Sequence, residues 1–397
     1  MSGFPTASIT DLFRLKQGTY LRSEEMSEVR TETFPFLVYG ANGVIGYASK
    51  KMYAERLPLI SCRGANCGVT HFTLPNSWIS NNSIACIPKD GADPAYYFYL
   101  FKDSSFNDVI TGSAQPQITI TNLSTKRLLA PPITIQRRIA SILSAYDDLI
   151  ENNTRRIAIL DEMARRLHEE WFVGFRFPGH EGVRMVESEL GLVPEGWRAA
   201  TLGDVAAYIN RGLAPKYDDA AACVVINQKC IRDQRLNMVE ARRQSKPVPA
   251  EKVVRLGDVL INSTGVGTLG RVAQVLAPVD NVTVDTHVTI VRPSKDCDQD
   301  FFGLTLLARQ AHFEAQGVGS TGQTELSRGR IAEAPIIVPP LAVQRAFADL
   351  VRPMRRLTET LQNKILNLRT TRDLLLPKLI SGELDVSAMP EPEVLAA

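Results

Sequence analysis

Six cysteines in 397 residues, none of them in a C-x-x-C pair, leave this chain without a disulfide framework or a zinc ribbon. Their scatter (Cys62, Cys67, Cys86, Cys223, Cys230, Cys297) is that of reduced thiols in the cytosol. No apolar run approaches the ~18 residues that a membrane span needs. Met1–Thr10 has no basic segment followed by an apolar one, so no secretory signal is expected and the chain is expected to be soluble and cytoplasmic. There is no Walker A sequence for an ATP motor. There is no Asn/Asp-Pro-Pro-Tyr/Phe motif of the kind that holds a flipped adenine for methylation, and no acidic cluster with a trailing lysine that resembles a nuclease site. Nothing in the chain is equipped to make or break a covalent bond. Strong charge is missing too: the formal net charge is +2, so any basic surface has to come from local clustering. Hydrophobic content of 44% and charged content of 22% are those of a globular protein with room for two or three domains.

What is present is an internal repeat. Ala130-Pro131-Pro132-Ile133-Thr134-Ile135-Gln136-Arg137 returns as Val338-Pro339-Pro340-Leu341-Ala342-Val343-Gln344-Arg345. Upstream, Gly112-Ser113 with Gln117 answers Gly319-Ser320 with Gln323, and Leu59-Ile60-Ser61 then Gly64 answers Leu260-Ile261-Asn262 then Gly265. Asn81-Asn82-Ser83-Ile84 lines up with Asp285-Thr286-His287-Val288. The offset drifts upward along the chain, as small loop insertions would produce. Copies this long are duplicated domains rather than solenoid repeats.

A long helical pattern follows each proline pair, proline being suited to the first helical turn. In the first copy the apolar stripe is Ile135, Ile139, Ile142, Tyr146, Leu149, Ile157, Leu160, Ala164, Leu167 and Trp171, with a gap at Asn153. In the second it is Val343, Phe347, Leu350, Met354, Leu357, Leu361, Ile365, Leu368, Leu375 and Leu379. A helix of about 37 residues is roughly 55 Å long, and one small domain does not bury a stripe of that length. It needs a partner helix, and the other copy supplies one; two independent amphipathic helices are the plainer alternative. Pro353 predicts a kink or local break, and Asn153, aligned with Leu361, is a polar seam residue of the kind that fixes register. His168, between charged neighbours, reads as solvated.

The segments before the helices are different in kind. Residues 1–132 and 197–340 carry short β-type runs such as Phe36–Tyr39, Val253–Leu256 and Val259–Ile261, with turn residues between them and few helices, Tyr96–Phe101 and Phe301–Arg309 being the clearest. The expected fold is α+β: two compact α/β-type domains (1–132 and 197–340) and two long antiparallel helices (133–172 and 341–380) pairing as a coiled-coil spacer with pseudo-twofold symmetry. Residues 173–196, rich in Gly, Pro and Glu, read as a linker, and 381–397 as a disordered tail.

Two tempting motifs have plainer readings. Gly265-Val266-Gly267-Thr268-Leu269-Gly270 fits G-x-G-x-x-G, but Arg271–Pro278 alternates and stops at a proline, so a glycine-rich hairpin replaces the helix that a dinucleotide site requires. Cys62, Cys67 and His71 have no fourth ligand and match no standard zinc spacing; small cysteines beside a glycine loop is the better reading.

Several stretches resemble one family. Leu190-Gly191-Leu192-Val193-Pro194-Glu195-Gly196-Trp197 with Leu202-Gly203-Asp204-Val205, and Gly257–Gly265, look like parts of target-recognition domains of type I restriction–modification specificity subunits. Tyr39–Tyr47, Pro-Pro-x-x-x-Gln-Arg at both helix starts and Leu374–Gly382 complete the resemblance, which covers almost the whole chain in the family's order. It implies a non-catalytic subunit reading a split target on double-stranded DNA, one half-site per domain, with the helix pair setting the gap. It implies two modification (methyltransferase) subunits as partners, which in turn carry the restriction (ATP-dependent nuclease) subunits. S-adenosylmethionine, ATP and Mg²⁺ then belong to those partners, with no cofactor in this chain. The alternative is a coiled-coil adaptor without sequence-specific DNA binding.

Arg and Lys suit guanine and phosphate, Asn and Gln suit adenine. On that chemistry the DNA-contacting candidates are Asn42, Lys50, Lys51, Arg63, Asn66, Gln115 and Gln117 in the first domain. In the second they are Arg211, Lys216, Asn227, Gln228, Lys229, Thr264 and Gln323. Arg155, Arg165, Arg356 and Arg369, on helix faces left over after pairing, are candidates for partner docking. Ordinary solvated surface is the competing reading for each.

Overall fold

The computed structural model describes residues 3–112, 114–317 and 325–389. They fall into two units, Met1–Asn152 with Ile365–Ala397, and Asn153–Lys364. The two long helices, Ile133–His168 and Leu341–Ser381, each run through the boundary between them.

In the first unit, Phe13–Gln17, Ser83–Pro88, Pro58–Ser61 and Thr70–Phe72 form an antiparallel sheet in that order. A second sheet places Met26–Ser27, Gly43–Ala48 and Phe36–Gly40 side by side and adds Trp78–Ile79 in parallel. Pro94–Asp103 is helical: Asp93 caps it by accepting from the Tyr96 N–H at 2.9 Å, and proline stands at its first position. Its aromatic face, Tyr96, Tyr97, Leu100 and Phe101, fills the core with Phe13, and the rings of Phe13 and Tyr97 meet edge-on at 5.0 Å. Ile139 and Leu143 of the first long helix and Leu376, Leu379 and Ile380 of the second complete that core.

The second unit repeats the plan. Ala206–Arg211, Val288–Pro293, Val259–Asn262 and Val272–Gln274 form the antiparallel sheet, and Arg242–Gln244, Cys223–Ile226 and Val282–Val284 the mixed one. Asp298 caps the Gln299–Ala308 helix as Asp93 caps its counterpart. The run expected at Val253–Leu256 is irregular rather than a strand, though Val254 is buried. Val272–Gln274 pairs antiparallel with Val259–Ile261, so the glycine-rich segment is a hairpin.

Why each helix starts where it does is visible in one side chain. Gln136 is buried; its Nε2 donates to the Pro131 carbonyl at 2.8 Å and the Gly91 carbonyl at 3.0 Å, and its Oε1 accepts from the Asp93 N–H at 2.8 Å. Gln344 does the same in the second unit, donating to Pro339 and accepting from Asp298, both at 2.8 Å. The glutamine of Pro-Pro-x-x-x-Gln-Arg thus ties the start of the long helix to the cap of the short one.

Burial along the long helices recurs at seven-residue spacing: Leu143, Ile150, Ile157, Ala164 and Trp171 on one, and Val351, Thr358, Ile365 and Leu379 on the other, where the skipped position, Arg372, is half-buried. This corrects the expected stripe. Leu149 is 53% exposed, Leu350 47% and Leu357 37%, while their neighbours Ile150, Val351 and Thr358 turn inward. Asn153, expected as a polar seam residue, is buried. The break expected at Pro353 is absent, and the second helix continues through Pro353 and Pro377. Each proline forfeits one backbone bond, and burial of the apolar Phe347, Val351 and Leu361 around Pro353 offsets the loss.

Three further expectations are overturned. Residues 173–196 are not a bare linker: Met185–Ser188 and Gly191–Pro194 form a hairpin, and Phe177 and Val193 pack into the second unit's core beside Trp197. Segment 381–397, expected to be disordered throughout, contributes Val386 to the first unit's core, and the Ser387 carbonyl accepts from Arg138 at 2.6 Å; residues 390–397 lie outside the described ones. His168 is buried instead of solvated, its Nε2 3.0 Å from the Thr305 hydroxyl and its ring against Phe172 and Phe347. Burial, then the Arg309 charge, push its pKa down to about 4.

Candidate nucleic-acid interface

Loops from four strands converge at one end of the first unit's sheets. The hairpin turn Ala41–Asn42 is held by two side chains: the Ser61 hydroxyl donates to the Ala41 carbonyl at 2.7 Å, and His71 Nε2 lies 3.1 Å from the same oxygen. Loop 62–69 is closed by Gly68 N–H to the Ser61 carbonyl and Ser61 N–H to the Val69 carbonyl, both 2.8 Å. It is fixed from two more sides, by Cys62 N–H to the Asn82 carbonyl at 2.8 Å and Ile118 N–H to the Cys62 carbonyl at 3.0 Å. Arg63 and Gln117 face each other across an isolated antiparallel bridge, and the Asn66 amide donates to the Asn42 side chain. Asn42, Arg63, Asn66 and Gln117 therefore gather on one frame, with Gln115 on the adjoining loop.

Lys50 and Lys51 do not join them. They follow the far end of the Gly43–Ala48 strand, where Lys50 pairs with Glu25 at 3.1 Å and Lys51 donates to Asn76 at 2.7 Å. Cys62 is buried and Cys67 half-buried, and burial raises both thiols above their ordinary pKa, which favours the neutral form over a metal-binding thiolate. His71 is engaged with Ala41.

The second unit builds the same frame with equivalent bonds. Asn262 Nδ2 donates to the Gln228 carbonyl at 3.0 Å, as Ser61 does to Ala41. Ser263 N–H donates to the His287 carbonyl at 2.8 Å and Leu326 N–H to the Ser263 carbonyl at 2.9 Å, as Cys62 and Ile118 do. Gly212 approaches the Val284 backbone so closely that a Cβ would lie 1.8 Å from its carbonyl oxygen; Gly18 stands 2.2 Å from that of Ser80 in the same sense. The frame places Gln228, Lys229, Thr264 and Arg211 together. Arg211 donates to the Leu326 carbonyl at 3.0 Å and pairs with Glu325 at 2.7 Å, and beside it opens a cleft lined by Asn210, Lys252 and Arg328. Asn227 is mostly structural, capping a short turn through Lys229 N–H at 2.8 Å and donating to the Glu240 carbonyl at 2.8 Å. Lys216 sits farther along, its carbonyl accepting from Ser245 at 2.9 Å.

Superposing these bonds identifies residues that sequence reading missed. Thr264 bridges to Glu325 as Arg63 bridges to Gln117, so Glu325 is the structural counterpart of Gln117. Gln323, which the sequence alignment put there, lies outside the described residues. His287 answers Asn82, and its Nδ1 lies 2.5 Å from the Thr264 hydroxyl. Asp285 beneath it accepts from the His287 N–H at 2.8 Å; burial raises its carboxyl pKa, opposed by that N–H and the His287 ring.

Of the helix arginines, Arg165 is committed within its own helix to Glu162 and Glu169. Arg356 and Arg369 are exposed, and Arg155 is exposed with a partner of its own. Among the described residues no helix is long and apolar enough to cross a membrane.

Comparison with known proteins fits this duplication. A family model described as the type I restriction modification DNA specificity domain matches residues 1–162 and again 194–368. The MjaIX type I restriction enzyme specificity subunit of Methanocaldococcus jannaschii is 28% identical, over 76% of this chain and 72% of its own length. The HindI specificity subunit of Haemophilus influenzae is 24% identical over 68% of this chain and 71% of its own. The crystal structure of the type I restriction-modification S subunit from M. genitalium superposes with a TM-score of 0.68 at 17% identity, covering 95% of this chain and 96% of that one, which shows a shared fold.

Proposed function

The chain belongs to the type I restriction modification DNA specificity family, whose domain it carries twice, and from that membership we propose that each unit reads one half of a split DNA target. The observation that carries this reading is the repeated frame. Identical backbone bonds hold the loops in both units, while the side chains they present differ: Arg63 against Thr264, Asn82 against His287, Gln117 against Glu325. One scaffold holding two different sets of polar groups suits two different half-sites. The two long helices connect the units, so the gap between half-sites follows from helix length.

In this reading the chain performs no chemistry. Two modification subunits supply methyl transfer from S-adenosylmethionine, and restriction subunits, using ATP and Mg²⁺, join through them. Lys50, Lys51 and Lys216, set apart from the loop frame, serve phosphate contact rather than base reading. Exposed Arg356 and Arg369 belong to the docking surface for the modification subunits.

The test is to sequence genomic DNA for methylated adenines with and without this gene, in cells where the modification partner is expressed and active. Loss of methylation at one split motif is the expected result. An unchanged pattern refutes sequence reading and favours a coiled-coil adaptor.

A further inference from the structure

Arg63 differs from Lys50, Lys51 and Arg56 in what its side chain meets. Lys50 is tied to Glu25, Lys51 to Asn76, and Arg56 to the Thr73 carbonyl at 3.2 Å, with its guanidinium 4.3 Å from the centre of the Phe72 ring. The exposed Arg63 guanidinium has no hydrogen-bond or ion-pair partner among the described residues. Its backbone is nevertheless one of the most constrained in the loop. Cys62 before it is bonded to Asn82 and Ile118, Gly64 after it donates to the Pro116 carbonyl at 3.1 Å, and Cys67 N–H returns to the Gly64 carbonyl at 3.0 Å. Gly64 takes φ +78°, a turn that favours glycine, with open space where a Cβ would lie. A flexible cation would serve any phosphate. A fixed root removes loop ordering from the cost of contact, so that only the side chain's own rotamers remain to be ordered when the guanidinium meets a base edge.

Unit two is built differently at the same place. Thr264 replaces the arginine, and its hydroxyl is taken up by His287 Nδ1. The neighbours of Arg63 on the frame, Asn42, Asn66 and Gln117, carry amides, so no carboxylate among them competes for it.

We infer that Arg63 is a specificity-determining residue of the first unit, its guanidinium donating to O6 and N7 of one guanine in the half-site that unit reads. This rests on the DNA-reading function proposed above. A bidentate contact of this kind discriminates by about 1–3 kcal/mol, or roughly five- to 150-fold.

The experiment uses the full chain assembled with its modification subunits, and DNA libraries randomised position by position across the methylated motif. Wild type, Arg63→Ala and Arg63→Lys are compared by methylation rate at each sequence. Arg63→Ala is expected to lose, by about ten- to a hundredfold, the preference for a single guanine in one half-site, with the other half-site's preferences intact. Arg63→Lys, which keeps the charge without the fork, is expected to recover overall rate but not the full preference. A uniform fall across all sequences, or an unchanged profile, overturns the assignment: the first makes Arg63 a phosphate contact, the second a bystander. A wild-type complex with no sequence preference at all overturns the DNA-reading function itself, which separates the two failures.

Discussion

Replacing Gln136 by alanine tests whether the helix-start motif is a mechanical joint. Three hydrogen bonds disappear together, to Pro131, Gly91 and Asp93. The side chain is 1% exposed, so water does not replace them without opening the core. At about 1 kcal/mol net for each bond, and with two carbonyls and one N–H left unpaired, the loss is about 3 kcal/mol. Gln344→Ala removes only two such bonds and is expected to cost about 2 kcal/mol. For units of this size 1 kcal/mol lowers Tm by about 2–4 °C, so Gln136→Ala is expected to shift the first unit's transition down by about 6–12 °C. Calorimetry of the full chain, with urea titration followed by circular dichroism, reads both variants. Gln136→Glu sharpens the test: it keeps the acceptor for Asp93 but turns a carboxylate toward two carbonyls, so it is expected to be no better than alanine at neutral pH. A Gln136→Ala protein within about 0.5 kcal/mol of wild type refutes the reasoning, because the bonds would then contribute nothing that water does not.

His168 predicts a pH dependence. Its folded pKa, about 4, lies below the ordinary value of 6.5, so the unfolded chain binds the proton more readily. The stabilisation is complete above pH 6.5 and is lost as pH falls from there to about 4, amounting to about 2 kcal/mol between pH 7 and 5. Urea midpoints of wild type and His168→Gln over that range should diverge, the variant showing the flatter curve; parallel curves would assign the pH response to other groups. Gly212→Ala would drive a Cβ into the Val284 carbonyl and is expected to destabilise the second unit by several kcal/mol, or to displace its reading loops, visible as loss of amide exchange protection at residues 284–288. Phe347→Ala empties a site walled by Trp171, Phe172 and His168, with an expected cost of about 3–5 kcal/mol by denaturant unfolding; a loss below about 1 kcal/mol would mean the aromatic cluster closes over the gap.

The duplication, the two long helices and their starts were legible because proline pairs and long apolar periodicity are local signals. The phase of the seam was not. Leu149 and Ile150, or Leu350 and Val351, satisfy three-and-four spacing equally well, and only the buried root at Gln136 and Gln344 decides which one turns inward. His168 looked solvated because its sequence neighbours are charged, whereas its spatial neighbours are Phe172, Phe347 and Thr305. The hairpin at Met185–Pro194 hid behind the glycine and glutamate content of a linker. In the candidate interface, residue type picked out Asn42, Arg63, Asn66 and Gln117, which gather on the first unit's frame, and Gln228 and Thr264, which gather on the second's. Lys50 and Lys51 lie one strand's length away, a distance that spacing in the sequence does not encode. His287 and Glu325 were passed over because their roles come from a backbone bridge and a facing hydroxyl. The sequence alignment set Thr286 opposite Asn82, one residue short of the histidine that the backbone bonds place there.

The two units are not completed at the same moment as the chain is made. Residues Asn153–Lys364 form one uninterrupted stretch, whereas the first unit is split around them and draws Leu376, Leu379, Ile380 and Val386 into its core. A chain emerging from its N-terminus therefore has every core residue of the later unit in hand before the earlier one can close. Until those last residues appear, the Ile139 and Leu143 face of the first helix stays open to solvent or to whatever binds nascent apolar surface. Synthesis order and folding order run in opposite directions, and the last turns of the second helix are what finish the first half of the protein.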